Sequence, residues 1–526
     1  MKNLLLNNAK QKSEFVILKN CQSNLFRISL ILLLLLATTN NVFAQKEDYN
    51  WIFGANDDSR NLFHWDDDLN LNIDTASTDM TFSYTNSAIS DTNGEMLFYT
   101  NGLRIYDAST HQLVENGDSL NYTDAYWNFA NVNFGQYNIG QATIILPLNN
   151  EYSLFSLRVD TLISDSLSFF DKFASNLIHT KIVKQDNEFK VILKNKKILV
   201  DTLIPVNLTA TRHANGRDWW LVCQEALSNC VEVILCQPDT IYLHHKECDG
   251  LKYKNYDGGY STFSPDGSKL VVATAINGIK IFNFDRCSGE LNLIEYIPRD
   301  VLMEASDPLI YFLGFNVISS NSRYLYTGAP DSLYQFDLSA SNIVNSKELV
   351  AWIPEDSLSS YTIAFTALAP DGTMPQPNHL NYYAIIHNPD EPAQDIDLEM
   401  WIPLPKYPSS SMGNFPNYRL GRLIGSPCDT LYNSIEGTIT KLKVLEAYPN
   451  PATNKIRIDY AGKFWEQVNN LHLKITDVLG QEFYNKKLPE YSARQTINLK
   501  NYPSGVYFVY LVDEGKVLGT IKFIRQ

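Results

Sequence analysis

The residues with the most chemical promise lie in the middle of the chain. His244-His245 is followed by Glu247 and Cys248, four side chains that can ligate metals. Adjacent side chains on a strand point to opposite faces, so two neighbouring histidines rarely share one ion. Arg212-His213 lies just before Asp218-Trp219-Trp220. A cation, an imidazole and a carboxylate beside an aromatic wall would suit a ligand, although polar residues inside a packed sheet also satisfy one another. Asp66-Asp67-Asp68 and Asp91-Thr92-Asn93-Gly94 are acidic enough for Ca²⁺. They lack the full set of alternating oxygen ligands and closing bidentate Glu that a calcium loop needs, so both read as turns. No G-x-S-x-G elbow and no H-E-x-x-H helix motif occurs. Paired glycosidase carboxylates need not be close in sequence, and 58 acidic residues give no basis for choosing two. The sequence therefore assigns no catalytic residue, no metal and no cofactor.

Cysteine chemistry is limited in the same way. Cys21 precedes the mature chain, which keeps Cys223, Cys230, Cys236, Cys248, Cys287 and Cys428. All six are candidate disulfide cysteines in an exported protein, and fifteen pairings are possible. No pair has C-x-x-C spacing, which argues against zinc and thioredoxin-type chemistry. A second recurrent pattern is Asp, then Ser or Thr, then an aliphatic residue. It occurs at Thr75, Ser119, Thr161, Ser166, Thr202, Thr240, Ser332, Ser357 and Thr430, where ordinary composition gives roughly two or three. It resembles the O-glycosylation acceptor pattern of periplasmic Bacteroidetes proteins. A turn Asp entering a strand gives the same pattern.

These groups must be positioned by strands. From residue 50 to about 425, short alternating apolar runs are separated by turn signals, and Gly and Asn supply the positive φ of tight turns. A weak repeat runs through FSPDGSKLVVAT (263–274), VISSNSRYLYTG (317–328), ISDTNGEMLFYTNG (89–102) and FTALAPDGT (365–373). Each is a strand, a polar turn and a strand, with a further strand often ending in Asp. Such a unit is a small sheet that cannot bury both faces alone, and radial packing of several solves that problem. Ser168 to Ile178 is the best candidate for a short helix. The expected fold is all-β: an N-terminal β-propeller of about seven blades over 50–430, a linker over 431–445, and a small immunoglobulin-like β-sandwich over 446–526.

Bulk properties set the compartment. The first 44 residues read as a signal peptide: basic residues, an apolar run from Ile28 to Ala37, and cleavage between Ala44 and Gln45. The run is shorter than the roughly 20 residues a span requires, so the mature chain is expected to have no transmembrane segment. The net charge of −15 repels phosphate backbones and makes nucleic acid an unsuitable partner.

The last 80 residues or so carry an ordered motif set: Tyr448-Pro449-Asn450-Pro451, Lys474 to Gly480, Tyr502-Pro503-Ser504-Gly505-Val506-Tyr507, and a final basic strand from Lys522 to Arg525. This set closely resembles the type A sorting domain of the Bacteroidetes type IX secretion system. The resemblance implies the secretion machinery as partner, passage through the periplasm, and a secreted or surface-attached final state. Residues 50–430 are similar to propeller regions of Bacteroidetes surface proteins, some linked to gliding motility. That likeness rests on Trp51 to Gly54, Leu97 to Gly102, Phe263 to Gly267, Phe284 to Leu291 and Asn414 to Gly421. Those motifs are strand and turn chemistry and speak to fold more than function. The functional expectation is a binding or scaffold protein for a surface protein or glycan. The alternatives are a polysaccharide hydrolase or lyase with an axial site, and a structural part of the gliding or surface layer.

Overall fold

A computed structural model describes residues 45–526 except 56–57, 83, 124–136, 138, 163–172, 205, 227, 229, 249–258, 275–276, 303–314, 330–331, 353–365, 378–380, 409–412, 430–444, 461–469, 479, 489–493 and 514–515. The expected signal peptide, Ser166, Ser357, Thr430 and nearly all of the 431–445 linker lie outside the described residues. Among those described, no helix is long and apolar enough to cross a membrane.

The regular structure of the described residues is almost entirely strand, arranged in sequential antiparallel sheets. The first sheet holds β1 (Asn50–Phe53), β2 (Arg60–Trp65) and β3 (Leu71–Ala76). The second holds β4 (Ser87–Ser90), β5 (Met96–Thr100) and β6 (Ile105–Asp107). The third holds β7 (Thr143–Leu148) and the long strands β8 (Glu151–Leu162), β9 (Phe173–Gln185) and β10 (Glu188–Leu203). The fourth holds β11 (Thr209–Arg212), β12 (Trp219–Gln224), β13 (Cys230–Cys236) and β14 (Ile241–Cys248). The fifth holds β15 (Gly259–Phe263), β16 (Lys269–Thr274), β17 (Gly278–Phe284) and β18 (Leu291–Ile297), followed by the single-turn helix α1 (Arg299–Leu302). The sixth holds β19 (Asn316–Ile318), β20 (Tyr324–Ala329), β21 (Ser332–Asp337) and β22 (Glu348–Trp352). The seventh holds β23 (Met374–Pro377), β24 (Tyr382–Ile386) and β25 (Leu398–Pro403). The helix expected over Ser168–Ile178 is not formed in its described part. Phe173 onward is β9, where Leu177 pairs with Leu157 and is fully buried; sheet pairing overrides local propensity.

Turn chemistry explains why the sheets recur. Asp266 Oδ1 accepts from Ser268 N at 2.9 Å, Asp371 Oδ1 from Thr373 N at 2.9 Å, and Asp91 Oδ1 from Asn93 N at 2.8 Å. The Asx turns at Asp91 and Asp266 close the first hairpin of the second and fifth sheets, and the one at Asp371 leads into β23. The Asp that ends the third strand does the same one turn later: Asp107 accepts from Ser109 N, Asp285 from Cys287 N and Asp337 from Ser339 N.

Each sheet buries a face against its neighbour. One cluster joins the first and second sheets through Ile52, Phe82 and Tyr99. Another joins the second, third and fourth through Phe98, Phe155 and Leu221. Further clusters join the fourth to the fifth, the fifth to the sixth, and the sixth to the seventh. Tyr383 and Ile385 of the seventh sheet then share a cluster with Trp51, Phe53 and Phe63 of the first.

The C-terminal unit holds β26 (Leu445–Tyr448), β27 (Lys455–Tyr460), β28 (Leu471–Asp477), β29 (Glu482–Lys487), β30 (Arg494–Asn498), β31 (Gly505–Asp513) and β32 (Lys516–Arg525). Strands β26-β27-β30 form one sheet and β29-β28-β31-β32 another. Ile456, Ile458 and Ile497 from one sheet meet Leu473, Val509 and Phe523 from the other in a single core, so the unit is a two-layer sandwich. Leu445–Tyr448, expected as linker end and stiff turn, is its first strand and pairs with β27.

Candidate functional site

The first strand of a small sheet has unpaired backbone groups on its free edge, and burying them without partners is costly. Here the segment 413–421 supplies partners. Asn414 donates from Nδ2 to Thr143 O at 2.9 Å and Leu208 O at 2.8 Å, and from its backbone to Asn86 O at 3.1 Å. Asn417 Nδ2 donates to Pro265 O at 2.7 Å. Tyr418 is fully buried, and its hydroxyl donates to Ile145 O at 2.7 Å. Phe415 stacks on Trp51 with centroids 5.6 Å apart, and Arg419 forms an ion pair with the buried carboxylate of Asp48. Beside this segment lies a cavity of ≈ 110 Å³ whose lining includes Tyr84, Gln141, Tyr260, Asn316 and Thr366. Its lining mixes these polar groups with apolar ones such as Phe263 and Leu368, and it has room for a few waters.

The residues proposed for ligand binding hold this segment in place. Arg212, His213, Asp218, Trp219 and Trp220 are all buried. The Arg212 guanidinium lies 3.8 Å over the Trp219 ring and donates to Tyr418 O at 3.3 Å. Trp219 meets Tyr418 edge-on at 5.8 Å and donates from Nε1 to Pro147 O at 3.1 Å. Trp220 Nε1 donates to Arg286 O at 2.7 Å. Asp218 accepts from Arg217 at 2.7 Å and Asn215 at 2.8 Å. Burial pushes its carboxyl up, but hydrogen bonds from Arg217, Gln237 and Asn215 outweigh that and hold it below the usual carboxylate range. The expected aromatic wall is therefore interior packing, not a surface open to ligand.

The segment's far end is tethered. Arg286 donates to Gly421 O, Leu423 N donates to Ala214 O at 2.8 Å, and Cys428 is disulfide-bonded to Cys287. The second disulfide, Cys230–Cys248, pairs directly opposite residues of β13 and β14. Cys223 and Cys236 are buried free thiols. They do not pair because Cys223 faces Glu232 across the ladder while Cys236 faces Trp219. Four rungs separate them, about 13 Å at strand rise, beyond disulfide reach.

The alternation argument fails at His244-His245. A bulge lies there, with Val233 opposite His245 and Ile234 opposite Leu243, so the extra residue turns both rings to one side. Their Nδ1 atoms lie 3.0 Å apart. Burial lowers both imidazoles well below the ordinary value. No group of three or more metal-ligating acids, histidines or cysteines forms among the described residues. Asp66-Asp67-Asp68 is a turn, as expected: Asp66 Oδ1 accepts from Asp68 N and Asn70 N.

The histidines instead face the sandwich. His244 Nε2 is 3.7 Å from Asp459, which accepts from Arg494 Nε at 2.8 Å, and Arg457 pairs with Glu290. Within the sandwich, the expected sorting residues come together from opposite ends of the unit. Asn450 Nδ2 donates to Lys522 O at 3.0 Å, and Ile524 N donates to Asn450 Oδ1 at 3.0 Å. Ala452 bridges to Arg525, which pairs with Gly505 at the start of β31. The Tyr448 hydroxyl bonds Asp459 and accepts from Arg494 at 3.0 Å. Gly480 takes φ +84° in the β28–β29 turn. Pro449 and Pro451 flank Asn450 in the loop between β26 and β27.

Of the expected glycosylation positions, Thr75, Ser119 and Thr202 are exposed and Thr240 is half-buried. Ser332 is buried at the start of β21. Thr161 lies in β8.

Residues 446–526 match the family described as a secretion system C-terminal sorting domain. Among solved structures, PorZ of Porphyromonas gingivalis, described as an essential bacterial surface component of the type-IX secretion system, aligns over 90% of this chain and 81% of its own. The identity is 11% and the TM-score 0.23. Apo AztD from Citrobacter koseri aligns over 69% of this chain and 85% of its own, at 12% identity and TM-score 0.32. At these scores neither likeness bears on the fold. No curated protein matches the chain. The sorting domain directs the chain to the type IX machinery and so to the outer surface or the extracellular space.

Proposed function

We propose that the seven sheets are the blades of a β-propeller and that this body is a non-enzymatic binding or scaffold module at the cell surface. The blade reading is supported by the succession of shared cores that runs from the first sheet to the seventh and back to the first. The binding reading rests on one observation: the chain's own segment 413–421 occupies the place where the first strands converge. An enzyme with an axial site needs a pocket there that can admit a sugar chain. The remaining surface is loops and outer strands, which suit protein or glycan contact.

The test is direct. The purified secreted protein is incubated with a polysaccharide panel, and released reducing ends and unsaturated products are measured. No turnover is expected. Sustained product release by the pure chain overturns the binding reading in favour of a hydrolase or lyase. Export is tested by deleting residues 446–526, which is expected to trap the protein in the periplasm.

A further inference from the structure

One exposed tryptophan is held in a backbone conformation that bulky residues avoid. Trp401 has φ +65° and is 45% exposed. It sits at a bulge in β25, where Tyr383 faces Ile402 and Ile385 faces Glu399. The last strands of three other sheets also carry bulges, with His244, Ile294 and Val350 as the extra residues. Of these four residues only Trp401 has a left-handed backbone. Left-handed geometry and apolar exposure are both unfavourable for an indole. Neither serves the core, because Met400 and Ile402 on the same strand already pack inward. A bulge re-aims a side chain, and strain of this kind concentrates at ligand clamps.

What the indole is aimed beside is specific. Tyr382 is also exposed, and its ring meets that of Trp401 at 6.0 Å and 80°, forming an aromatic corner. Two residues along β25, Glu399 bonds His387 at 3.1 Å, and both side chains are exposed. An aromatic corner next to an acceptor and an imidazole matches a ligand with one apolar face and a rim of hydroxyls. The geometry points to a carbohydrate-binding subsite at Trp401 and Tyr382, with a pyranose ring against the indole and its hydroxyls towards Glu399 and His387. This deepens the binding reading above and rests on it. The net charge of −15 favours a neutral saccharide over a phosphorylated ligand.

The experiment uses the full secreted chain and a panel of neutral hexasaccharides: β-1,4-glucose, β-1,4-N-acetylglucosamine and α-1,6-mannose. Binding is followed by tryptophan fluorescence and calorimetry. At least one hexasaccharide is expected to bind, with Kd raised tenfold or more in W401A and Y382A. W352A is the control, since Trp352 is 58% exposed on an outer strand, and it should bind as the wild type does. W401G relieves the left-handed strain, so its melting temperature should equal or exceed that of the wild type while binding is lost. A purely structural Trp401 would lower the melting temperature instead. Binding that survives both W401A and Y382A overturns the site and leaves the binding reading standing. A silent panel overturns the saccharide subsite. Catalytic turnover in the polysaccharide assay overturns the broader reading.

Discussion

Replacing Tyr418 tests whether the central segment is part of the fold. Its side chain is fully buried, its hydroxyl donates to Ile145 O at 2.7 Å, and its ring meets Trp219 at 5.8 Å. Tyr418→Phe removes only the donor and deprives a buried carbonyl, which should cost about 1–2 kcal/mol. Tyr418→Ala also removes the ring and leaves a cavity, raising the loss to about 3–5 kcal/mol. Because Tyr418 and Trp219 touch, a double-mutant cycle with Trp219→Leu should show coupling of about 0.5–1.5 kcal/mol. Urea unfolding gives these numbers, provided the slope is unchanged between variants. Hydrogen exchange over 414–421 gives an independent view, since protected amides are expected there and should lose protection in Tyr418→Ala. The reasoning is refuted if Tyr418→Ala costs less than about 1 kcal/mol and the segment's amides exchange at free-peptide rates in the parent chain.

Other expectations concern charge, tethers and modification. His179 stacks on Phe155 and bonds Ser153 Oγ at 2.9 Å, and burial, helped by Lys181 and Lys196, lowers its pKa to about 3. Its stabilising contribution is therefore complete above pH 6.5 and lost as pH falls from 6.5 towards 3, at up to about 1.4 kcal/mol per pH unit. His179→Gln should flatten that slope by one proton, and an unchanged stability–pH curve counts against the assignment. Removing Cys287–Cys428, 141 residues apart, should cost about 5 kcal/mol in the chain-entropy account, against about 3 for Cys230–Cys248, 18 apart. The reverse order in urea titrations of the paired Cys→Ser variants would show that the longer tether restrains little. In protein from its native host, Thr75, Ser119 and Thr202 are expected to carry O-glycans and the buried Ser332 to be bare. An intact mass equal to that of the polypeptide ends that proposal.

The sequence made the strands legible because their turns are chemically explicit. Asp266-Gly267 announces the hairpin that joins β15 and β16, and Asp371-Gly372 announces the turn that leads into β23. The tail strands were readable for the same reason, apart from Leu445–Tyr448, where the prolines that follow at 449 and 451 suggested a turn and hid a short edge strand. The site was less legible. Arg212 and Trp219 looked like a ligand wall because nothing local reveals that Tyr418, about 200 residues later, covers them. The sequence does carry a trace of this in the motif Asn414 to Gly421. Two asparagines, a tyrosine and an arginine are rich in donors, more than an ordinary loop needs, and they are spent on carbonyls in and beside other strands and on Asp48. His244-His245 was misread because strict alternation presumes a regular ladder, and bulges are not visible in residue types. Trp401 passed unnoticed because exposure and φ are properties of the fold.

The clamp of Asn450 on the backbone of β32 bears on how the tail can be read. The loop that opens the sandwich and the strand that ends it are stitched into one surface. That surface does not exist in a nascent or unravelled chain, whatever its amino acids. A receptor that grips it would read shape, not a peptide, and would pass cargo only once β32 has joined the sandwich. The postal label would then double as a seal of folding, since a sandwich without β32 loses that surface however intact its other motifs are.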